Sequence, residues 1–416
     1  MVRWKLSKLK AGPIAVDFGG ASLKLMQLTA DEPPRLVAAA AKPLPDEMPD
    51  APDAQVDLLA KLLRTACREG GFRGRRALAA IPASMTFVRH VRIAPSAGEN
   101  HADQVNSALA GQLPMDPGRM IVRHVDIGPI SADGATKREV ICFAVARAAV
   151  MRLIHIIRKA GLSPVGLHCE PVALGRAFAD LFRREDDRDR TVFFVDIGRH
   201  VTKAVISHGG DLAFAKLIQL GGDHLDRHFA EELGVELDEA RRRRREQAAL
   251  DLERDPAQPP DAPEADSHTD GDMLQPVPAG DDDGGNALLA TFGPPRRAPL
   301  APPDVAAHAP LRHETIPAGG EALDCLIDEL QLCVGYHQSV FDDRPIEQIV
   351  FLGGEAHQSA MCRRIADALR LPGRPADPLG RFVRDPDARP PVGVDLRQPQ
   401  PAWAMPLGLC RLPANL

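Results

Sequence analysis

Two segments of the chain carry the same order of chemically useful side chains. One is Ile14-Ala15-Val16-Asp17-Phe18-Gly19-Gly20-Ala21-Ser22-Leu23-Lys24-Leu25. The other is Phe193-Phe194-Val195-Asp196-Ile197-Gly198-Arg199-His200-Val201-Thr202-Lys203-Ala204-Val205. Each is an apolar run, an Asp, a turn with Gly, a hydroxyl, a Lys and a second apolar run. A strand–turn–strand of this kind can hold a phosphate. Successive N–H groups in a tight turn make an anion-binding concavity, and glycine lets the backbone approach closely. Ser22 and Lys24 would touch phosphate oxygens, Lys24 as a point charge. Asp17 and Asp196, at the strand ends, would hold Mg²⁺ through its water shell, because that ion keeps several of its waters. Two such hairpins face to face would clamp a nucleotide between two domains.

A third segment, Ile349-Val350-Phe351-Leu352-Gly353-Gly354-Glu355-Ala356, is an apolar strand ending in two glycines before a helix-like stretch. Bare backbone there would let a flat adenosine lie against it. Singly, each signal is weak, because Asp and Gly are ordinary turn residues. Three in this order carry more weight.

Elements that position these residues can be read from periodicity. Residues 13–43 read as successive strands, 54–71 as an amphipathic helix with Val56, Leu59, Leu63 and Cys67 on one side, and 76–81 as a strand. Strands over 85–93, 120–127 and 139–145, a helix over 102–113 and another over 148–161 read as an inserted smaller unit, expected to span 85–165. Strands resume over 191–220, followed by a helix over 224–233 and a helical run through Arg241 to Arg245. That five-arginine run reads as a solvated helix face. Its sharper alternative is a contact with an acidic partner, such as the chain's own Asp-rich stretch. Residues 251–313 are rich in Pro, Asp, Gly and Ala, with Asp281, Asp282 and Asp283 in a row. Such a stretch buries too little apolar surface to fold and is expected to be a disordered insertion. A long helix over 322–341, a helix over 361–369, a Pro- and Arg-rich loop over 372–400 and a last helix over 402–409 complete the chain.

Composition narrows the function. The chain has 416 residues and a formal net charge of −6, so it does not attract nucleic acid by bulk electrostatics. Aromatics are 4 %, too few for a base-stacking platform. Seven scattered cysteines include no CxxC pair, which points to neither a zinc site nor a disulfide framework and suits a reducing cytoplasm. Residues 1–10 are basic and contain Trp4, with no apolar core behind them. They read as a frayed terminus, with weak contact to an anionic membrane surface as the alternative. No run of 18 apolar residues exists to span a membrane.

With these residues in hand, the chain resembles the actin-like ATPase superfamily. Within it the likeness is to the PilM proteins of type IV pilus assembly, relatives of FtsA. Asp17 to Lys24 resembles the first phosphate motif, Asp196 to Thr202 the second, and Gly353-Gly354 the adenosine motif. Cys169-Glu170-Pro171-Val172-Ala173-Leu174 and Ala404-Met405-Pro406-Leu407-Gly408-Leu409 resemble the two connecting helices. Further PilM-like wording lies in Ala80-Ile81-Pro82-Ala83-Ser84, Ala160-Gly161-Leu162-Ser163-Pro164-Val165 and Leu220-Gly221-Gly222-Asp223-His224-Leu225.

The resemblance implies an α/β actin-like ATPase fold, with two α/β domains around a nucleotide cleft. The first would hold residues 12–84 and 166–190 with 402–416 returning to it, the second 191–250 and 314–400, and the inserted subdomain 85–165. It implies ATP and Mg²⁺ as ligands, held by Asp17, Gly19, Gly20, Ser22, Lys24, Asp196, Gly198, Thr202, Gly353 and Gly354. Glu170 would orient an attacking water, although its bland reading is a helix-start carboxylate favoured by the helix dipole. Any hydrolysis would be slow, with ATP acting mainly as a structural ligand. The partner implied is the N-terminal cytoplasmic peptide of a PilN-like bitopic membrane protein, bound between the first domain and the inserted unit. The protein would then sit in the cytoplasm, at the inner membrane through that partner.

Departures from the family set the alternatives. Arg199-His200 stand where small residues are usual, and Arg241 and Arg244 stand where a Glu and a Lys reach the adenosine. Only Glu239 or Glu246 could replace the ribose carboxylate. These departures favour a scaffold of the same fold that has lost ATP binding. An FtsA-like role would want an amphipathic membrane tail, which residues 410–416 do not supply. A type II secretion role would want a spanning helix. A sugar kinase would need a catalytic Asp outside the phosphate motifs.

Overall fold

The first hairpin forms where the turn residues put it. In the computed structural model, which describes residues 11–94, 101–109, 111–132, 134–181, 189–254 and 322–415, β1 (Ile14–Phe18) and β2 (Ser22–Leu28) pair antiparallel. β3 (Leu36–Pro43) adds to β2, α1 (Pro52–Gly70) crosses over, and β4 (Arg76–Ile81) lies parallel to β1. The chain then leaves for a separate three-stranded sheet. This comprises β5 (Thr86–Ile93), helix α2 (His101–Leu109), β6 (Met120–Ala132) and β7 (Ala135–Ala146), in the order β5-β7-β6. Its own core joins Val91, Ile93, Val105, Leu109, Val140 and Cys142.

The sequence reading places the end of the inserted unit at 165, but the chain rejoins sheet one earlier. α3 (Arg147–Lys159) and β8 (Ser163–Cys169) belong to the first sheet. β8 pairs parallel with β4, giving the order β3-β2-β1-β4-β8. The apolar side of α3, with Val150, Leu153, Ile156 and Ile157, shares one core with Val56, Ala60 and Leu63 of α1. An amphipathic helix must bury its apolar stripe, and sheet one was the surface available. Pro164 and Gly166 interrupt the alternation in β8, which hides it in the sequence.

α4 (Glu170–Ala177) carries the chain to a second sheet of the same plan. β9 (Thr191–Ile197), β10 (Thr202–His208) and β11 (Asp211–Ile218) are antiparallel neighbours. α5 (Gly222–Leu233), α6 (Leu237–Arg254) and α7 (Ala322–Val340) follow in the described residues. β12 (Gln348–Leu352) then lies parallel to β9, and after α8 (Ser359–Leu369) a short β13 (Gly373–Pro375) emerges from the stretch read as loop. The order is β11-β10-β9-β12-β13. Both sheets thus have three antiparallel strands followed by two parallel ones. α7 and α8 cover this sheet as α1 and α3 cover the first.

Between the sheets, α4 packs on α9 (Ala404–Cys410). The contact is backbone to backbone: a Cβ at Gly408 would strike the Ala173 carbonyl. Residues 383–392 reach back to the outer strand of sheet one. Leu36 donates to Val383, Ala41 to Val392, and Arg73 meets Asp385 at 3.2 Å. The basic residues 1–10 and most of the 251–313 insertion lie outside the described residues; α6 itself runs on to Arg254, past the expected start of that insertion.

Candidate functional site: two matched hairpins and a buried carboxylate

The turn of the first hairpin aims its functional groups at one spot. Asp17 and Lys24 are register partners, and the Lys24 ammonium lies 3.3 Å from Asp17 Oδ2. Gly19 has no room for a side chain: its Cβ would stand 2.9 Å from the Ser22 carbonyl and 3.3 Å from Lys24 Nζ. The second hairpin repeats the arrangement. Asp196 pairs in register with Lys203, whose ammonium is 3.2 Å from Asp196 Oδ1. Lys203 follows Asp196 by seven residues, as Lys24 follows Asp17.

Glu170 joins the two. It opens α4, is buried, and places Oε2 3.3 Å from Lys203 Nζ. Burial pushes its carboxyl up to about 7, Asp17 and Asp196 push the same way, and Lys203 opposes them. For Lys203, burial alone would lower the ammonium, but Asp196, Glu170 and Asp17 outweigh it and hold the group above its ordinary range. Loss of solvent is the largest influence on Glu170, so the buried carboxyl is held above its ordinary range.

Of the residues marked in the sequence, Asp17, Gly19, Lys24, Asp196 and Glu170 come together. Ser22 starts β2 beside them. Thr202 is turned away from them: it is fully buried and its hydroxyl donates to the Leu220 carbonyl at 2.7 Å. The next residue, Lys203, points to the carboxylates instead and is a site residue the sequence reading does not mark. Its signal was the repeated seven-residue spacing. Gly353 is needed for a close approach: its φ is +88°, and a Cβ would run into Ile197 O and Asp196 Oδ1. Gly354 borders open space.

The turns themselves abut. A Cβ on Gly20 would lie 2.8 Å from His200 Cδ2 and 3.2 Å from Arg199 Cβ. Arg199 is tied to Asp223 at 3.0 Å and to Asp46 of the first half at 3.3 Å. The arginine run is only in part a solvated face. Arg242 and Arg243 are exposed and pair with Glu239 on their own helix. Arg241 and Arg244 turn inward instead. Asp226, buried, accepts from Arg241 Nε at 3.1 Å and Arg244 Nε at 2.6 Å. Arg244 also reaches Glu355, just after the diglycine, at 2.8 Å. Glu239 thus pairs with two exposed arginines of its own helix.

A magnesium triphosphate matches the donor set at the hairpin end: two ammonium groups, turn N–H groups and three carboxylates. Among the described residues no group of three His, Cys, Asp or Glu side chains is placed to hold a metal directly. The far end is different, because its carboxylates already serve arginines.

The inserted sheet carries a second feature. An apolar cavity of about 310 Å³ lies between β6 and β7 on one side and β8 and α4 on the other. Val125, Phe143, Leu167, Cys169 and Val172 are among its walls. Phe143 and Ile141 also pack with Ala215 of β11. Beside them Glu139, fully buried, accepts from Tyr336 of α7 and from His90 at 2.8 Å. The inserted sheet is thereby pinned to the second sheet.

The sequence profile described as type IV pilus assembly protein PilM matches residues 15–254. The chain belongs to that family. The matched stretch holds both hairpins, Glu170, the inserted sheet and the arginines of α6. Among solved structures, the PilM-PilN type IV pilus biogenesis complex is similar with a TM-score of 0.65 at 18 % identity, over 97 % of this chain and 97 % of that one. Ethanolamine utilization protein EutJ from Carboxydothermus hydrogenoformans gives 0.45 at 15 %, over 96 % and 89 %. MreB5 of Spiroplasma citri, bound to ADP, gives 0.40 at 12 %, over 90 % and 94 %. No curated protein sequence matches the chain. At 18 % identity the likeness to the PilM-PilN structure is one of fold. The duplicated sheet plan with α4 and α9 between the halves is the actin-like ATPase fold of the PilM family. Among the described residues no helix is long and apolar enough to cross a membrane.

Proposed function

We propose that this PilM-family chain binds Mg-ATP between its hairpins and is recruited to the pilus machine by an extended peptide of a PilN-like membrane protein. The observation that carries the nucleotide reading is the matched pair Asp17–Lys24 and Asp196–Lys203, the second in contact with Glu170 and the first near enough for Asp17 to act electrostatically on Glu170 and Lys203. Gly19, Gly20, Ser22, Lys24, Gly198 and Lys203 would hold the phosphates, and Gly353-Gly354 would face the adenosine. Asp17 and Asp196 would hold Mg²⁺ through its waters, which suits an ion that dehydrates reluctantly. Mg-ATP, if bound there, would bring phosphate oxygens for Lys24 and Lys203 to hold and a hydrated cation for the carboxylates to face. Glu170 would orient a water, and turnover would be slow. The peptide reading rests on the apolar cavity between the inserted and first sheets, and on a chain of this fold having been solved as a PilM-PilN complex. Association with the inner membrane would then be indirect. In domain terms, sheet one with α4 and α9 forms the first unit, β5 to β7 the insertion and the second sheet the other half.

One observation favours a second reading, a scaffold without nucleotide. His200 and Arg199 press on Gly20, and the Arg241–Asp226–Arg244–Glu355 chain fills the adenosine side with ion pairs. Thermal melting decides between them. A ligand at about 100 times its Kd stabilises the folded state by roughly 2.7 kcal/mol. Saturating Mg-ATP should raise the melting temperature of the wild type and leave Asp17→Ala unmoved. An unchanged wild-type melt would establish the scaffold.

A further inference from the structure

β8 is the outer strand of sheet one, with β4 on one side. Its other side is occupied by residues 413–415 of the same chain. The Asn415 N–H donates to the Val165 carbonyl at 2.9 Å. Its side chain then imitates a peptide group: Oδ1 accepts from the Leu167 N–H at 2.9 Å, and Nδ2 donates to the Leu167 carbonyl at 3.0 Å. One residue on, His168 Nε2 meets the Pro413 carbonyl at 2.9 Å. Gly166 permits the approach, since a Cβ there would lie 2.9 Å from Asn415 Oδ1 and 3.3 Å from Asn415 N. Asn415 and His168 also line the apolar cavity.

The attachment is made of hydrogen bonds and little else. Pro413, Ala414 and Asn415 are exposed, and the last residue of the segment packed in a core is Leu412. Segments with few buried apolar contacts open at low cost. The groups that hold Asn415 are the unpaired N–H and C=O groups of an outer strand, which are the groups an added peptide strand would use.

We infer that residues 413–415 are a built-in competitor for the β8 edge, displaced when the extended peptide of the membrane partner enters beside the cavity. This rests on the peptide reading above and adds its regulation. Nothing in the ion-pair cluster at the hairpins is involved. The segment keeps the edge closed to stray strand pairing while no partner is present, and it sets the affinity threshold a peptide must exceed.

The test compares three proteins: the 416-residue chain, the same chain ending at Leu412, and Asn415→Asp. The Asp variant keeps the acceptor and loses the donor to Leu167. The probe is a fluorescein-labelled synthetic peptide of the N-terminal cytoplasmic segment of the PilN-like protein, read by anisotropy. Amide exchange at Leu167 reports the strap itself. Loss of the four hydrogen bonds made by Pro413 and Asn415 should speed Leu167 exchange and tighten peptide binding by about tenfold in the truncated chain, with Asn415→Asp between. Equal affinity in all three, or weaker binding after truncation, overturns the competitor role while leaving the peptide reading intact. No binding to any of the three overturns both.

Discussion

The Lys203 ammonium lies 3.3 Å from the carboxylate of Glu170, the residue that opens α4. Both are buried, and Lys203 serves Asp196 as well. Removing one partner of a buried pair is costly because the other charge stays behind without compensation. Lys203→Met is expected to destabilise the protein by about 3–5 kcal/mol. Adding Glu170→Gln to that background should recover part of the loss. Urea unfolding of the two variants and the double variant measures both.

Glu170 also gives the stability a pH dependence of defined sign. Burial, aided by Asp17 and Asp196, moves its carboxyl from 4.5 up to about 7. Between those values the folded state keeps a proton that the unfolded chain has lost. Stability therefore falls as pH rises through that window. Glu170→Gln should flatten the decline, as read from melting temperatures across the window. A decline of equal slope in the variant would assign it to other groups.

The histidine pair in the second half should act in the opposite sense. His208 and His337 face each other with their Nε2 atoms 2.8 Å apart, and His337 Nδ1 has no partner. Burial lowers both to about 4, helped at His208 by Arg344 and at His337 by His208. Unfolded histidines take up protons near 6.5, so stability should be lost as pH drops from there toward 4. His337→Leu should make the acid limb shallower. An unaltered limb would mean the pair is not its source.

Asp46 and Asp226 both hold arginines, yet their removal should differ sharply. The Asp46 side chain is 70 % exposed, whereas Asp226 is buried between Arg241 and Arg244. Asp46→Ala is expected to cost no more than about 1 kcal/mol. Asp226→Ala should cost about 3–5 kcal/mol, because two guanidinium groups lose a shared acceptor. Chemical denaturation separates the two, and similar losses would mean that the cluster is solvated throughout.

Much of this architecture is legible in the residues, and the failures have physical causes. The hairpins are readable because Gly turns separate runs of opposite-facing apolar residues, and Asp17 and Asp196 stand out at the strand ends. The boundary of the inserted sheet is not, because α3 looks the same whichever sheet its stripe covers. Thr202 misleads since a hydroxyl beside a turn can point to either side, and only the Leu220 carbonyl decides it. Arg241 and Arg244 sit in a run of like charges, where sequence cannot tell an inward arginine from a solvated one. Their partner, Asp226, is on another helix.

Cys169 lines the apolar cavity, and the next residue, Glu170, faces Lys203. One peptide bond separates the wall of the cavity from the charge cluster at the hairpins. The backbone there is fixed further by α9, which tolerates no side chain at Gly408 against Ala173. A substitution that shifts the first turn of α4 thus cannot be confined to either of them. Mutational drift at this turn must satisfy two chemistries at once, so the turn should accept fewer side chains than its place between two sheets alone would demand.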